Sequence, residues 1–245
     1  MSSMTTSDGR KFCEFCGEPL EPVEMGLFGK PITFFKACTC EHAVEEARRR
    51  EAEEEAIRAE AERKAREVKY QFAGIPRGYW EADDPDDASL VEAIEEGRGL
   101  FFTGKCGRGK TYTACSIARK LIARGWRVRF ADVEAIEREV RSSWGSRDTN
   151  EDQVIDKYVN ADLAIIDDLG AEEITPTTMK VLRAVISGRE ANAAVTIFTS
   201  NFSRKEFALH IADESNQVMA QRFASRIAGM TEVIPFDGED RRLKR

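Results

Sequence analysis

Residues 104 to 111 read Gly-Lys-Cys-Gly-Arg-Gly-Lys-Thr, the pattern G-x-x-x-x-G-K-[ST], directly after the apolar run Leu100, Phe101, Phe102. These residue types at this spacing suit the holding of phosphates. Glycines let successive backbone N–H groups turn inward toward an anion, and a helix starting near Lys110 adds its positive N-terminal end. Gly104, Lys105, Cys106, Gly107, Arg108 and Gly109 then form the cradle, and Lys110 reaches the β- and γ-phosphates of a nucleotide such as ATP. Thr111 offers its hydroxyl to Mg²⁺, which takes few protein ligands and keeps waters and phosphate oxygens. A preceding strand and a following helix separate this pattern from a glycine turn with no ligand.

Leu163, Ala164, Ile165 and Ile166 read as a buried parallel strand ending in Asp167 and Asp168. Ligands collect at the carboxyl ends of strands in open α/β sheets, so both acids should face the phosphates. Asp167 is the residue to hold Mg²⁺ through its water shell, and Asp168 the one to polarise an attacking water. A third strand, 195 to 199, ends in Ser200 and Asn201, and Asn201 can orient water against the γ-phosphate. Thr-Ser-Asn alone would read as a helix N-cap or a turn, and its place at the end of the strand after the acidic one is what points to chemistry.

A separate chemistry is spelled at the N-terminus by Cys13-x-x-Cys16 and Cys38-x-Cys40, with His42 two residues on. Zinc takes four soft ligands at tetrahedral corners, and a segment this short needs a metal staple to fold. Disulfides are disfavoured in a cytosolic setting, and a redox pair would need a βαβ context that is missing. His42 could replace Cys40, because the second half departs from C-x-x-C. Cys106 and Cys115 read as small packing residues.

The elements that must position these groups follow from pattern. Residues 41 to 70 are Glu, Arg, Lys and Ala with no Gly or Pro, and opposite charges recur four apart at Glu45/Arg49, Glu46/Arg50, Glu54/Arg58 and Glu62/Arg66. This is a long solvated helix, either a spacer arm or a helix lying on a surface. Phe72 to Trp80 should break the helix and dock as an aromatic collar, Asp83 to Asp87 should be a solvated acidic loop, and a helix over 89–96 leads into the strand at 100–103. Beyond it strands at 127–131, 163–167, 195–199 and 231–235 alternate with helices at 110–124, 133–143, 150–159, 175–190, 203–211 and 216–227. Alternation of this kind gives a parallel sheet covered on both faces. The domains expected are therefore 1–42, 43–70 and 71–245, with 1–10 and 239–245 as tails.

The chain has 245 residues, 33% of them charged, and a net charge of −7, so it lacks a broadly basic surface and any DNA contact must be local. No window approaches the length of a membrane span and no apolar leader opens the chain, which points to the cytoplasm and to no membrane partner.

The phosphate loop, Ile-Ile-Asp-Asp-Leu-Gly, Thr-Ser-Asn, the collar Ala73-Gly74-Ile75-Pro76-x-x-Tyr79 and the late Gln221-Arg222-Phe223-Ala224-Ser225-Arg226-Ile227 occur in one order. Together they resemble the DnaC/DnaI-type replicative helicase loaders, an IstB/DnaC-like branch of the AAA+ ATPases, over residues 71 to about 242. The resemblance implies an α/β P-loop AAA+ domain preceded by a small zinc-binding module and a long charged helix. It implies an arginine finger toward a neighbouring subunit's ATP, with Arg226 favoured and Arg222 close behind, and hence a homo-oligomer when active. Arg241, in a terminal Gly-x-x-Arg, would touch nucleotide in cis. Single-stranded DNA contacts would fall at Arg138, Arg141, Trp144 and Arg147, although Glu134, Glu137 and Glu139 also suit an amphipathic core helix there. Function then reads as an ATP-dependent loader that grips a hexameric replicative helicase through its zinc module, with slow ATPase activity alone. The alternatives are an IstB-like transposition ATPase and a non-hydrolysing zinc-module adaptor.

Overall fold

A computed structural model describes residues 3–5, 10–27, 30–171, 175–212 and 217–241. The chain divides into two compact units, Met1–Ala65 and Arg66–Arg245. In the first, β1 (Ser3–Thr5) pairs antiparallel with β2 (Lys11–Cys13), and β3 (Pro22–Leu27) with β4 (Lys30–Phe35). Neither hairpin is among the expected elements, and residues 3–5 are strand rather than tail. Helix α1 (Glu41–Ala73) follows. Glu46–Arg50 forms among its expected ion pairs, at 3.0 Å, and Glu46 also takes Arg49.

The helix does not break at Phe72. It runs to Ala73 and stops at Gly74, whose φ of 83° suits glycine, and where a Cβ would collide with the Phe130 carbonyl. A 3₁₀ turn (Arg77–Tyr79) and α2 (Ala88–Glu95) complete the collar. Next come β5 (Gly99–Thr103), α3 (Lys110–Ala123), β6 (Val128–Asp132), α4 (Val133–Ser143), α5 (Glu151–Val159) and β7 (Leu163–Asp167). Then follow α6 (Pro176–Ala191), β8 (Val195–Ser200), α7 (Arg204–His210), α8 (Gln217–Met230) and β9 (Thr231–Pro235). All five strands of the sheet are parallel, in the order β6-β7-β8-β5-β9.

Strand side chains alternate between the two faces, as period two requires. Leu100, Phe102, Phe130, Leu163, Ile165 and Ile197 pack under α2, α3 and the collar residues Tyr70 and Ile75. Phe101, Ile166 and Phe198 pack under α4, α5, α6 and α8. The collar therefore docks by burial: Ile75 is in the core, and the Trp80 indole N–H donates to the Ile75 carbonyl at 2.9 Å.

The acidic loop is solvated only in part: Asp83, Pro85 and Asp86 are exposed, as expected, but two of its acids are not. Asp84 and Asp87 are buried, and α3 supplies their partners. Thr113 Oγ1 donates to Asp84 Oδ2 at 2.5 Å, and Lys120 Nζ donates to Asp87 Oδ1 at 2.6 Å. The collar is thus bonded to the helix that begins at the phosphate loop.

Candidate nucleotide site and cysteine centre

β5 lies between β8 and β9, with β7 beside β8, so the carboxyl ends of β5, β7 and β8 meet at one rim. There the structure joins residues far apart in sequence. Lys110, the first residue of α3, is buried and donates to the carbonyls of Gly104 (2.7 Å) and Lys105 (3.2 Å) and to Asn201 Oδ1 (2.9 Å). Thr111 Oγ1 donates to Asp167 Oδ1 at 3.0 Å, and Thr199 Oγ1 to the same oxygen at 2.6 Å. Burial pushes the Asp167 carboxyl up to about 6, against the lowering effect of the Thr199 bond, and the neighbouring Asp168 charge adds to the rise. A buried carboxylate beside a threonine hydroxyl, with no cation paired to it among the described residues, fits a magnesium ion by its donor set.

Asp168 is exposed at the rim with a left-handed φ of 49°, its N–H donating to Thr199 Oγ1 at 2.9 Å. Its side chain, Asn201, the loop residues Cys106–Thr111 and Arg241 line a cavity of about 460 Å³. Two further liners were not expected at the site: Tyr79, read from sequence only as part of the collar, and Tyr112 of α3. Tyr112 directly follows the loop motif while Tyr79 is brought in by the collar, and the Tyr112 hydroxyl is fixed by the Asp83 backbone N–H at 3.1 Å.

The segment after β9 is a strap over the loop rather than a tail, as far as Arg241; residues 242–245 lie outside the described residues. Phe236 N–H donates to the Thr103 carbonyl (2.7 Å) and Arg241 N–H to the Gly107 carbonyl (2.8 Å). Gly107, with a φ of 79°, has the Asp240 carboxylate where a Cβ would stand. The Arg241 guanidinium reaches to 3.9 Å from Asp84.

Arg222 and Arg226 on α8 are not brought to this cavity. Arg226 is held within its own domain, 3.2 Å from Glu190 and bonded to Ser187. Arg222 is exposed and has no ion pair among the described residues. On α4, Val133, Ile136 and Val140 enter the core while Arg138 and Arg141 stay exposed beside Glu134, so the helix is amphipathic with an outer face of mixed charge. Arg141 pairs with Glu137 at 2.5 Å, Trp144 is 56% exposed with its N–H toward Glu151, and Arg147 is exposed.

In the first unit the turn after β2 is closed by Gly17 N–H on the Cys13 carbonyl, and Cys40 accepts from Val44 N–H at the start of α1. The sulfurs of Cys13, Cys16, Cys38 and Cys40 all lie within 4.8 Å of one another. Zn–S bonds of about 2.3 Å at tetrahedral angles place sulfurs roughly 3.8 Å apart. Cys13 and Cys40 are 3.8 Å apart, and Cys16 and Cys38 3.4 Å. All four are free thiols, and His42 is not in the cluster. The backbone N–H groups of Cys16 and then Phe15 lower Cys13 to about 7. Cys16 and Cys40 are raised, the neighbouring thiols and burial outweighing the N–H groups of Glu18 and Ala43. Four thiols that cannot all ionise together are the donor set a zinc ion would fit.

Comparison with known proteins follows from this geometry. The chain is 31% identical over 156 residues to the replicative helicase loader DnaI of Bacillus subtilis, covering 60% of this chain and 48% of that one. It is 27% identical over 151 residues to the insertion sequence IS5376 putative ATP-binding protein of Geobacillus stearothermophilus, covering 62% and 58%. The chain thus spans about half the length of the curated relatives it matches. A crystal structure of DnaI superposes with a TM-score of 0.56 at 27% identity, covering 66% of this chain and 95% of that one. Among the described residues no helix is long and apolar enough to cross a membrane. The family described as IstB-like ATP binding protein matches residues 37–245, and the chain belongs to it.

Proposed function

We propose that this chain is an ATP-dependent loader of a hexameric replicative helicase, working in the cytoplasm during DNA replication. The observation that carries the reading is 31% identity over 156 residues to a protein named a replicative helicase loader, in a chain that also holds a four-cysteine cluster. Lys110 neutralises the β- and γ-phosphates, and Thr111 and Asp167 hold Mg²⁺, which offsets phosphate charge when bound. Asp168 polarises the attacking water and Asn201 orients it. Arg241 contacts nucleotide from the strap. Arg222 and Arg226 lie away from the cavity, which suits a finger given to a neighbouring copy, so hydrolysis is slow until copies assemble. Arg222, with no ion pair among the described residues, is the readier of the two. Zinc on Cys13, Cys16, Cys38 and Cys40 holds the module that meets the helicase, and Arg138, Arg141, Trp144 and Arg147 touch single-stranded DNA.

The test is light scattering after gel filtration of the chain with its own organism's replicative helicase and ATP, using the full chain and one lacking residues 1–65, the first compact unit. A complex formed only by the full chain supports the reading. A second reading, a transposition ATPase, is favoured by the Geobacillus relative. No helicase complex under any nucleotide, together with ATPase stimulation by a transposase on DNA, would replace the first reading with the second.

A further inference from the structure

The β3–β4 hairpin pairs Val23 with Phe34 and Met25 with Ile32, while Glu24 pairs with Thr33. Side chains alternate across a strand, so Val23, Met25, Ile32 and Phe34 share one face, and Glu24 and Thr33 the other. The apolar face is open: Met25 is 51%, Ile32 41% and Phe34 47% exposed. A sheet normally buries such a face, and an isolated two-stranded hairpin is marginal in water. Three adjacent apolar side chains left in solvent, beside a half-buried Val23, mark an interaction surface.

We infer that this face is the surface by which the four-cysteine module docks on the helicase, an inference that rests on the loader reading above. Charge selects the class of occupant. Residues 10–40 carry four basic residues (Arg10, Lys11, Lys30, Lys36) and four acidic ones (Glu14, Glu18, Glu21, Glu24). Lys36 is spent on Glu21 at 2.8 Å. A balanced module has no electrostatic grip on nucleic acid or an anionic membrane, so the occupant is an apolar patch on a protein. Size argues against a second copy. Half-exposed side chains of this size offer roughly 300 Å² in all, well short of the roughly 800 Å² a side that a stable dimer needs. They suit the apolar centre of a contact repeated around a multi-subunit ring, where several weak attachments add.

The experiment measures binding of the full chain to its organism's helicase at 50 and 300 mM salt, for wild type, Ile32→Lys and Thr33→Lys. Both substitutions sit at exposed positions of one strand, and zinc content reports that the module is intact. Ile32→Lys should weaken binding about tenfold or more, as loss of a central apolar contact does. Thr33→Lys should change it less than twofold, and wild-type affinity should barely depend on salt. Equal loss in both variants, or no loss in Ile32→Lys while wild type binds, overturns the surface and leaves the loader reading standing. A wild-type homodimer that Ile32→Lys dissolves assigns the face to a second copy and overturns the inference. Wild type that binds no helicase at all removes the loader reading itself.

Discussion

Asp167→Asn should make the metal-free protein more stable while removing its response to Mg·ATP. Burial holds the carboxyl at about 6 in the fold against an ordinary value of 3.8. A shift of that size at pH 7 corresponds to a penalty of about 3 kcal/mol for keeping the charged form buried. Asparagine keeps an oxygen that can accept from both Thr199 and Thr111, whose hydroxyls already meet at Oδ1. Part of the gain is lost to the imperfect environment of the new NH₂, so about 1–2 kcal/mol should remain. For a domain of this size that is roughly 3–6 °C in Tm. The assay is thermal unfolding in EDTA across pH 5–8, then with Mg·ATP. The folded pKa lies above the unfolded one, so the wild type takes up a proton in the fold as pH falls through 6 and gains stability there. The advantage of the variant should therefore be full at pH 8 and shrink toward pH 5. A variant less stable than wild type at pH 8 without metal, or a gap that ignores pH, would refute the reasoning.

Lys110→Ala removes the donor shared by Gly104, Lys105 and Asn201 and should weaken ATP binding at least tenfold by fluorescent-nucleotide titration; unchanged affinity would remove the phosphate-loop assignment. Wild type should carry one zinc per chain by metal analysis, and Cys38→Ser should lose it while nucleotide affinity stays within twofold. Arg189 is fully buried and donates to the carbonyls of Tyr158, Val159 and Ala161 and to Thr196 Oγ1, so Arg189→Ala should destabilise by about 3–5 kcal/mol in denaturant unfolding. Arg222→Ala and Arg226→Ala should each leave ATP binding unchanged, and the one that acts as finger should lower turnover about 10³-fold in the assembled state.

Legibility followed from whether the deciding interaction is local. β7 and β9 fell at the residues expected, the first because a run buried on both faces has no competing pattern. α5 and α7 began at their polar caps, Asn150 and Ser203, each closing a capping box with the residue three on. The β3–β4 hairpin lies between the two cysteine pairs, whose spacing specifies ligands and no strands, so the alternation of Val23, Met25, Ile32 and Phe34 is its one sequence signal. The acidic collar failed for a different reason. Asp84 and Asp87 read as solvated, and only Thr113 and Lys120, about thirty residues on, make their burial tolerable.

The same long-range pairing explains why the nucleotide cavity was only partly legible. Its loop, Asp167, Asp168 and Asn201 are announced by motifs at strand ends, but its far wall comes from the collar and the strap. Arg241 links those two, with its N–H on Gly107, its guanidinium packed at Gly109 and its charge 3.9 Å from Asp84. Phosphate charge in the cavity and the Asp84 carboxylate would both attract that guanidinium. Asp84 is itself bonded to Thr113, so the far wall of the cavity is tied to α3 as well as to the strap.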